Sequence, residues 1–523
     1  MKKLIISLKK LDDNLLTILL VGFTFFIPLF PKFPLKFVEY TYIAIRFEDV
    51  YVAVLLLVFF VQLIRRKTIL NTKLLIPFLI FWTIVFVSFF QNALYTHSVR
   101  IPYVGFLHAA RRVEYMIIFF IVSSSVRSVK TFKILLYSLI MSFILVNLYG
   151  IGQRFLGFPA VSTMNPEFAR GRILYLTPDA RVSSTFGGHY DLAMYLVMFI
   201  PLLLGLFFKL KNKRRIILFL SVLLAIYLLV LTASRIAFAA YVVMIVSYLI
   251  FAKKFKYLLF IIAFTILVTL TNGELTKRFS KTVQIKQILV NQETGQVFIP
   301  QQITTKELPL GSYYIPINKK TTSTSPIPTI STVKSAQITI TPPSNATELL
   351  KNKIAAEQIT QNAIKNQKIL TQKEEKSLIA SFSALLKPVS GVVCDISCAT
   401  RIQVEWPRAF IAFLKNPLIG SGGSSITEAT DSDYLRWLGE FGLLGFFSFL
   451  SIIFIAVYHI VKNAKRLPYV YRNIPHAFLF STIGLLIIAT YFDVFEASKI
   501  AFIFWFIVGL LYGALNEKKV KTI

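Results

Sequence analysis

Charge is scarce in this chain. Asp, Glu, Lys and Arg make up 16% of its 523 residues, where a soluble domain carries about 25%. Acidic residues are scarcer still, 25 against 57 Lys and Arg, which leaves a formal net charge of +32. With 55% hydrophobic residues and a mean hydropathy of +0.66, the composition excludes an ordinary soluble domain. It equally excludes disorder, which needs low hydrophobicity and dense charge. Two cysteines cannot build a disulfide framework, and with no histidine nearby they do not complete a tetrahedral metal shell. What is abundant is apolar bulk, including 49 Phe and 23 Tyr. The expected class is an all-α polytopic membrane protein.

Crossing a bilayer takes about 20 apolar residues at 1.5 Å rise each. Twelve stretches qualify, at 14–30, 49–64, 74–91, 113–125, 132–151, 191–209, 216–233, 236–252, 257–271, 438–461, 475–491 and 499–516. The basic head MKKLIISLKK resembles a signal peptide, but Asp12 and Asp13 interrupt it and no small-residue cleavage site follows. It is expected to stay as the first helix. Alternate loops carry the basic residues: RRK (65–67), VRSVKTFK (126–133), KLKNKRR (209–215), KKFK (253–256) and VKNAKRLPYVYRN (461–473), together with both termini. Lys and Arg in short loops mark the cytoplasmic side. Both ends are therefore expected in the cytoplasm, with the long segment 272–437 outside. Most of the +32 is then a topology signal, and no nucleic-acid partner is required.

The outer segment is heterogeneous. Residues 282–347 are rich in Thr, Ser and Pro, a composition that buries no core and is expected to be disordered. Residues 347–386 carry helical periodicity and are expected to form surface helices. In 401–415 an apolar stripe of Ile402, Trp406, Phe410, Phe413 and Leu414 predicts an amphipathic helix lying on the membrane surface. Cys394 and Cys398 share this outer side, where oxidation is permitted; a local disulfide and two free thiols both stay open.

The span interiors hold almost no ionisable residues. Glu48, Asp49, Glu114, Asp191 and Lys499 fall near span ends, and Glu440 near the start of the tenth span. Polar groups instead gather at the outer ends, in four places. RVSSTFGGHYDLA (181–193) offers Arg181, His189 and Asp191. TASRIAF (232–238) offers Ser234 and Arg235 in a tight hairpin. Arg278 follows the ninth span. The run 401–445 combines Arg401, a glycine-rich GSGGSS turn, Asp431, Asp433 and Tyr434. Taken singly, an arginine at a helix end snorkels to headgroups, and an aspartate there favours the helix dipole. Taken together on one face, arginine forks suit a diphosphate, and a carboxylate among them suits a general base.

These residues resemble the O-antigen ligase and O-antigen polymerase superfamily of bacterial membrane glycosyltransferases, over roughly 181–280 and 401–515. The Ser-Arg of TASRIAF resembles that family's arginine after a short outer turn. RIQVEW…NPLIGSGGS resembles its Arg…Trp…Pro-hydrophobic-hydrophobic-Gly-x-Gly segment, and RVSSTF its Arg-x-x-x-Thr-Phe segment. The ligase signature is His, then Asn, Ser or Gln, nine residues, Gly, two residues, Gly. Here the spacing is kept as Asp431, Ser432, Gly442 and Gly445, and the histidine is replaced.

The resemblance implies a GT-C-like fold in the cytoplasmic membrane and an inverting transfer on its outer face. The donor partner is a glycan on a polyprenyl diphosphate, and the acceptor a glycan or lipid-linked glycan, with other polysaccharide-pathway proteins as possible partners. No cofactor and no metal are implied. Arg235 and Arg401 would neutralise the leaving diphosphate, and Asp431 would serve as base with Asp433 as substitute. Arg181, His189, Arg278 and Tyr434 would line the substrate. Two other classes fit the layout: a transporter or flippase for lipid-linked saccharide, and an anchor whose long loop binds wall polymer.

Overall fold

A long apolar segment in lipid has no water for its peptide groups and must satisfy them internally, which selects helices. The computed structural model describes residues 2–38, 44–164, 168–177, 180–211, 213–280, 282–292, 297–298, 351–352, 354–356, 358–359, 372–426 and 430–516. A helix runs through each of the twelve apolar stretches. In chain order these are α1 (Lys2–Leu29), α2 (Phe47–Ile64), α3 (Leu75–Leu94), α4 (Pro102–Ser125), α5 (Val129–Phe155), α6 (His189–Phe207), α7 (Lys213–Leu231), α8 (Arg235–Phe251) and α9 (Phe255–Thr271). After α9 come α10 (Gly273–Ser280), α11 (Gln372–Ala384), α12 (Trp406–Lys415), α13 (Asp433–Lys462), α14 (Ile474–Ile488) and α15 (Ser498–Asn516).

Among the described residues, eight helices are long and apolar enough to cross a membrane, and nine if α9 and the sharply bent α10 count as one span. The protein is a polytopic helical membrane protein. Its outer helices leave Phe60, Ile76, Leu259, Leu270 and Phe454 exposed, an apolar surface that only lipid covers without penalty.

The chain divides into two compact units, residues 1–279 with 396–523, and residues 280–395. In the helical unit α6 and α15 lie at the centre, α15 wholly enclosed. Gly509 and Gly513, one turn apart on α15, bring its backbone onto α4; a Cβ at either would lie 2.8 Å from the carbonyl oxygen of Phe119 or Ser123. Small residues at this spacing let helices approach closely in lipid.

The fourth helix departs from expectation. The apolar run predicts 113–125, yet the helix starts at Pro102 and takes Arg111, Arg112 and Glu114 into its length. Partners from distant segments make this possible: Arg112 meets Glu440 at 2.7 Å and Glu496 at 2.8 Å, and Arg111 meets Asp49 at 3.6 Å. Hydropathy counts residues one at a time and does not see such neutralisation.

The second unit contains a three-stranded antiparallel sheet, with Val283–Asn291 central between Val297–Phe298 and Leu386–Cys394. The first part of the Thr/Ser/Pro-rich stretch is thus strand, where disorder is expected; residues 299–347 of that expectation lie outside the described residues. Helix α11 falls within the 347–386 stretch, of which residues 347–350 and 360–371 lie outside the described residues. The side chain of Cys394 lies outside the described residues, and the disulfide question with it. Short strand pairs at Pro34–Phe37 with Ala44–Arg46, and at Ala160–Val161 with Ile173–Leu174, add to the all-α plan.

Residues 401–415 are helical as expected, a π-helical turn at Arg401–Glu405 running straight into α12. Ile402, Phe410 and Leu414 are exposed, while the small Ala409 and Ala412 face the bundle. That pattern leaves the large apolar side chains exposed and packs the small ones inward.

Candidate functional site

Helix α13 opens with an unusual turn. Ser432 caps it, its hydroxyl accepting the Leu435 N–H, and the preceding Asp431 sits at φ +50°, a conformation that non-glycine residues hold only when the surroundings impose it. Asp493 imposes it. Its carboxylate accepts the N–H groups of Thr430 (3.1 Å), Asp431 (3.3 Å) and Ser432 (3.2 Å), and receives Arg436 Nη2 at 2.8 Å.

With its backbone so fixed, Asp431 turns its carboxylate to Arg401, Oδ2 to Nη2 at 2.5 Å. Arg401 is itself held on every side. It donates to the Ser397 carbonyl and hydroxyl and to the Tyr491 carbonyl, and its guanidinium lies 4.2 Å from the Tyr491 ring centre and 5.1 Å from that of Phe492. Burial pushes the Asp431 carboxyl up to about 7; Arg401 opposes the shift, and the carboxylates of Asp493 and Glu405 add to it. Burial also raises Glu405, whose buried Oε2 accepts no hydrogen bond.

The glycine-rich turn is structural as well as close by. At Gly442 (φ 63°, ψ −166°) helix α13 breaks, in a region only glycine occupies without strain. The break frees the carbonyls of Gly439 and Glu440, and the N–H groups of Ser421 and Gly422 take them at 2.9 Å each. Backbones meet so closely that a Cβ on Gly442 would lie 2.4 Å from the Leu418 carbonyl, and one on Gly420 would lie 2.4 Å from Glu440. GSGGSS is therefore a packed turn, and the Gly442 position in the signature has a backbone reason.

A second cluster is cationic. The tight turn before α8 places Arg235 at its first residue, and the 82° bend between α9 and α10 swings Arg278 back toward it. Arg235 Nη1 donates to the Arg278 carbonyl at 3.3 Å, and Arg278 Nη1 to the Ala233 carbonyl at 3.1 Å. Arg181 Nη1 donates to His189 Nε2 at 2.7 Å, which sets that nitrogen as the acceptor. Burial, then the positive charges of Arg278 and Arg235, hold Arg181 below its usual range. Positive charge accumulates here, as in an anion site.

An aromatic seam joins the clusters. The Tyr190 ring lies 3.9 Å from His189 and 4.3 Å from Phe492, the residue beneath Arg401. Arg181, His189, Arg235 and Arg278 thus gather on one side of the seam, and Arg401 with Asp431 on the other.

Two expected residues do not join. Asp433 is fully buried and accepts the Phe495 N–H at 3.0 Å, so it is closed to substrate and corrects the substitute-base expectation. Tyr434 donates its hydroxyl to the Leu486 carbonyl at 2.8 Å and packs on Trp437 and Phe446; that hydroxyl serves the fold.

Sequence reasoning missed Asp493 and the buried charges around it. Arg436 meets Glu440 at 3.6 Å, and Glu440 also receives Arg112 and the Ser424 N–H. The available signal was the pair of acids in the short loop YFDVFEAS (491–498), set against basic residues near helix ends.

No protein-family model matches the chain, and no curated protein matches it either. The class stands on the helices themselves: a multi-pass membrane protein.

Proposed function

We propose that the chain is a bacterial membrane glycosyltransferase of the O-antigen polymerase or ligase kind. On this reading it has twelve spans in a GT-C-like arrangement, both termini in the cytoplasm and the clusters at the outer face of the cytoplasmic membrane. It moves a glycan from a polyprenyl diphosphate carrier to a glycan or lipid-glycan acceptor. One observation carries the reading: the Arg401–Asp431 contact, with an aspartate poised near neutrality, joined by an aromatic seam to three arginines.

In the proposed reaction an acceptor hydroxyl gives its proton to Asp431, and its oxygen attacks the anomeric carbon. The bond from that carbon to the diphosphate oxygen breaks, the electron pair leaves with the polyprenyl diphosphate, and the configuration inverts. A base with a pKa near the working pH suits this step. Arg181, Arg235 and Arg278 stabilise the charge that develops on the leaving group, the largest lever such a site has. Arg401 has a different part from the one the resemblance implies. Its donors are engaged by Asp431, Ser397 and Tyr491, so it orients the base.

The test is surface polysaccharide length on gels in strains carrying Asp431→Asn or Arg235→Ala. Both should lose long chains, and unchanged chains at normal protein levels would sink the proposal.

The buried charges of Arg112, Glu440 and Arg436, with the half-buried Glu496 beside them, favour a second reading, a transporter or flippase for lipid-linked saccharide, since charges inside a membrane protein mark translocation pathways. Movement of the lipid across liposomes without glycan transfer would select it.

A further inference from the structure

We propose that the groove between α8 and α9 holds the first isoprene units of the lipid carrier, which enters sideways from the bilayer. This rests on the polyprenyl-diphosphate reading above and gives that substrate a place. The groove encloses about 380 Å³ and is lined by Phe238, Val242 and Val246 from α8 and by Ile262, Ile266 and Leu270 from α9, among others. Its polar residues do not interrupt the apolar wall. Tyr241 and Thr265 bond to one another, Thr265 also donates to the Ile261 carbonyl, and Thr269 donates to the Thr265 carbonyl.

Position distinguishes this groove from any other lipid-facing crease. Helix α8 descends from Arg235, so Phe238 lies one turn below that arginine and Val246 two turns further. Helix α9 ascends toward the bend that returns Arg278. At 1.5 Å per residue the lined stretch spans roughly 12 Å of each helix, from the arginine cluster toward the bilayer middle. The rings of Phe238 and Phe279 stand 6.3 Å apart at the upper end. An apolar slot under a cationic cap complements an anionic head on a hydrocarbon chain. The smaller α5–α7 crease, of about 330 Å³, has a single arginine, Arg214, in its lining.

The experiment uses the full chain in phosphatidylethanolamine nanodiscs and a polyprenyl diphosphate bearing a diazirine on an isoprene unit near the head. Photolysis should label peptides spanning 238–270. Excess unlabelled polyprenyl diphosphate should suppress that label about tenfold, and phosphatidylglycerol should not. Val242→Trp and Ile266→Trp should each cut labelling by about fivefold. Both positions already face outward, so thermal melting should be unchanged. Equal suppression by phosphatidylglycerol would overturn the proposal in favour of ordinary lipid. Specific label elsewhere, such as the α5–α7 crease, would overturn the groove and leave the glycosyltransferase reading standing. Absence of any competable label would count against both.

Discussion

Asp493 and Arg436 meet at 2.8 Å, and the same carboxylate gathers three successive N–H groups from residues 430–432. One side chain from the loop between α14 and α15 thus fixes the turn that carries Asp431. Asp493→Asn keeps the shape but replaces an acceptor by a donor facing donors, and leaves Arg436 without its 2.8 Å partner. Breaking a buried pair in this way costs about 3 kcal/mol. A lower Tm in detergent and a loss of transfer larger in kcat than in KM are the expected results.

Asp431 should govern the pH dependence. On the proposed reading it is a base and works only when deprotonated, so kcat should rise with pH on a single-proton limb centred at about 7 and level off above. Glu405→Gln removes a negative neighbour that holds Asp431 up, and should move the limb to lower pH. Arg401→Gln removes the opposing positive charge, and should move it to higher pH. Stability carries the opposite sign. The folded carboxyl holds its proton more tightly than the unfolded one, so its contribution falls as pH rises from about 4 to 7. Initial rates and melting curves across that range check both limbs.

Asp431→Asn should lower transfer by about a hundredfold or more, the usual range for a general base. Protein level should hold, because Asp493 grips the backbone of this turn, and Tm should fall less than for Asp493→Asn, because Arg401 keeps the Ser397 and Tyr491 carbonyls.

Gly442→Ala places a methyl group about where the Leu418 carbonyl already lies and demands a backbone conformation that alanine avoids. The strain costs about 2 kcal/mol or more. A reduced yield of monodisperse protein and a lower Tm are expected, with Gly439 and Glu440 losing their partners in the 421–422 turn.

Arg278→Ala and Arg181→Ala should weaken donor binding, seen as a raised KM for the lipid-linked glycan, and should leave the pH limb of Asp431 in place. A shifted limb would mean that the two clusters act as one electrostatic unit.

Sequence reading found the helices because a bilayer selects length and apolarity, which are visible one residue at a time. Every stretch it named is helical, and the surface helix at 401–415 followed from a stripe of large apolar residues. It placed Arg401 and Asp431 in one region, and they touch. What it did not find depends on pairing. Arg112 reads as a reason to end a helix until Glu440 and Glu496 arrive from elsewhere. Asp433 and Asp431 look alike two residues apart, yet one is sealed beneath Phe495 and the other held open by a strained turn. The strand at Val283–Asn291 escaped because its partner lies about a hundred residues away, beyond the reach of local composition.

Helix α12 has a mechanical meaning. Arg401 is continuous with α12, and α12 presents Phe410, Ile411 and Leu414 outward. Its small-residue face is fastened to the bundle: the Ser421 hydroxyl donates to the Ala412 carbonyl at 2.8 Å, and a Cβ on Gly439 would lie 2.8 Å from the Ala409 carbonyl. Arg401 and Asp431 therefore move only with the bundle, and on the proposed reading the depth of that pair is set by backbone packing and not by the lipid around it.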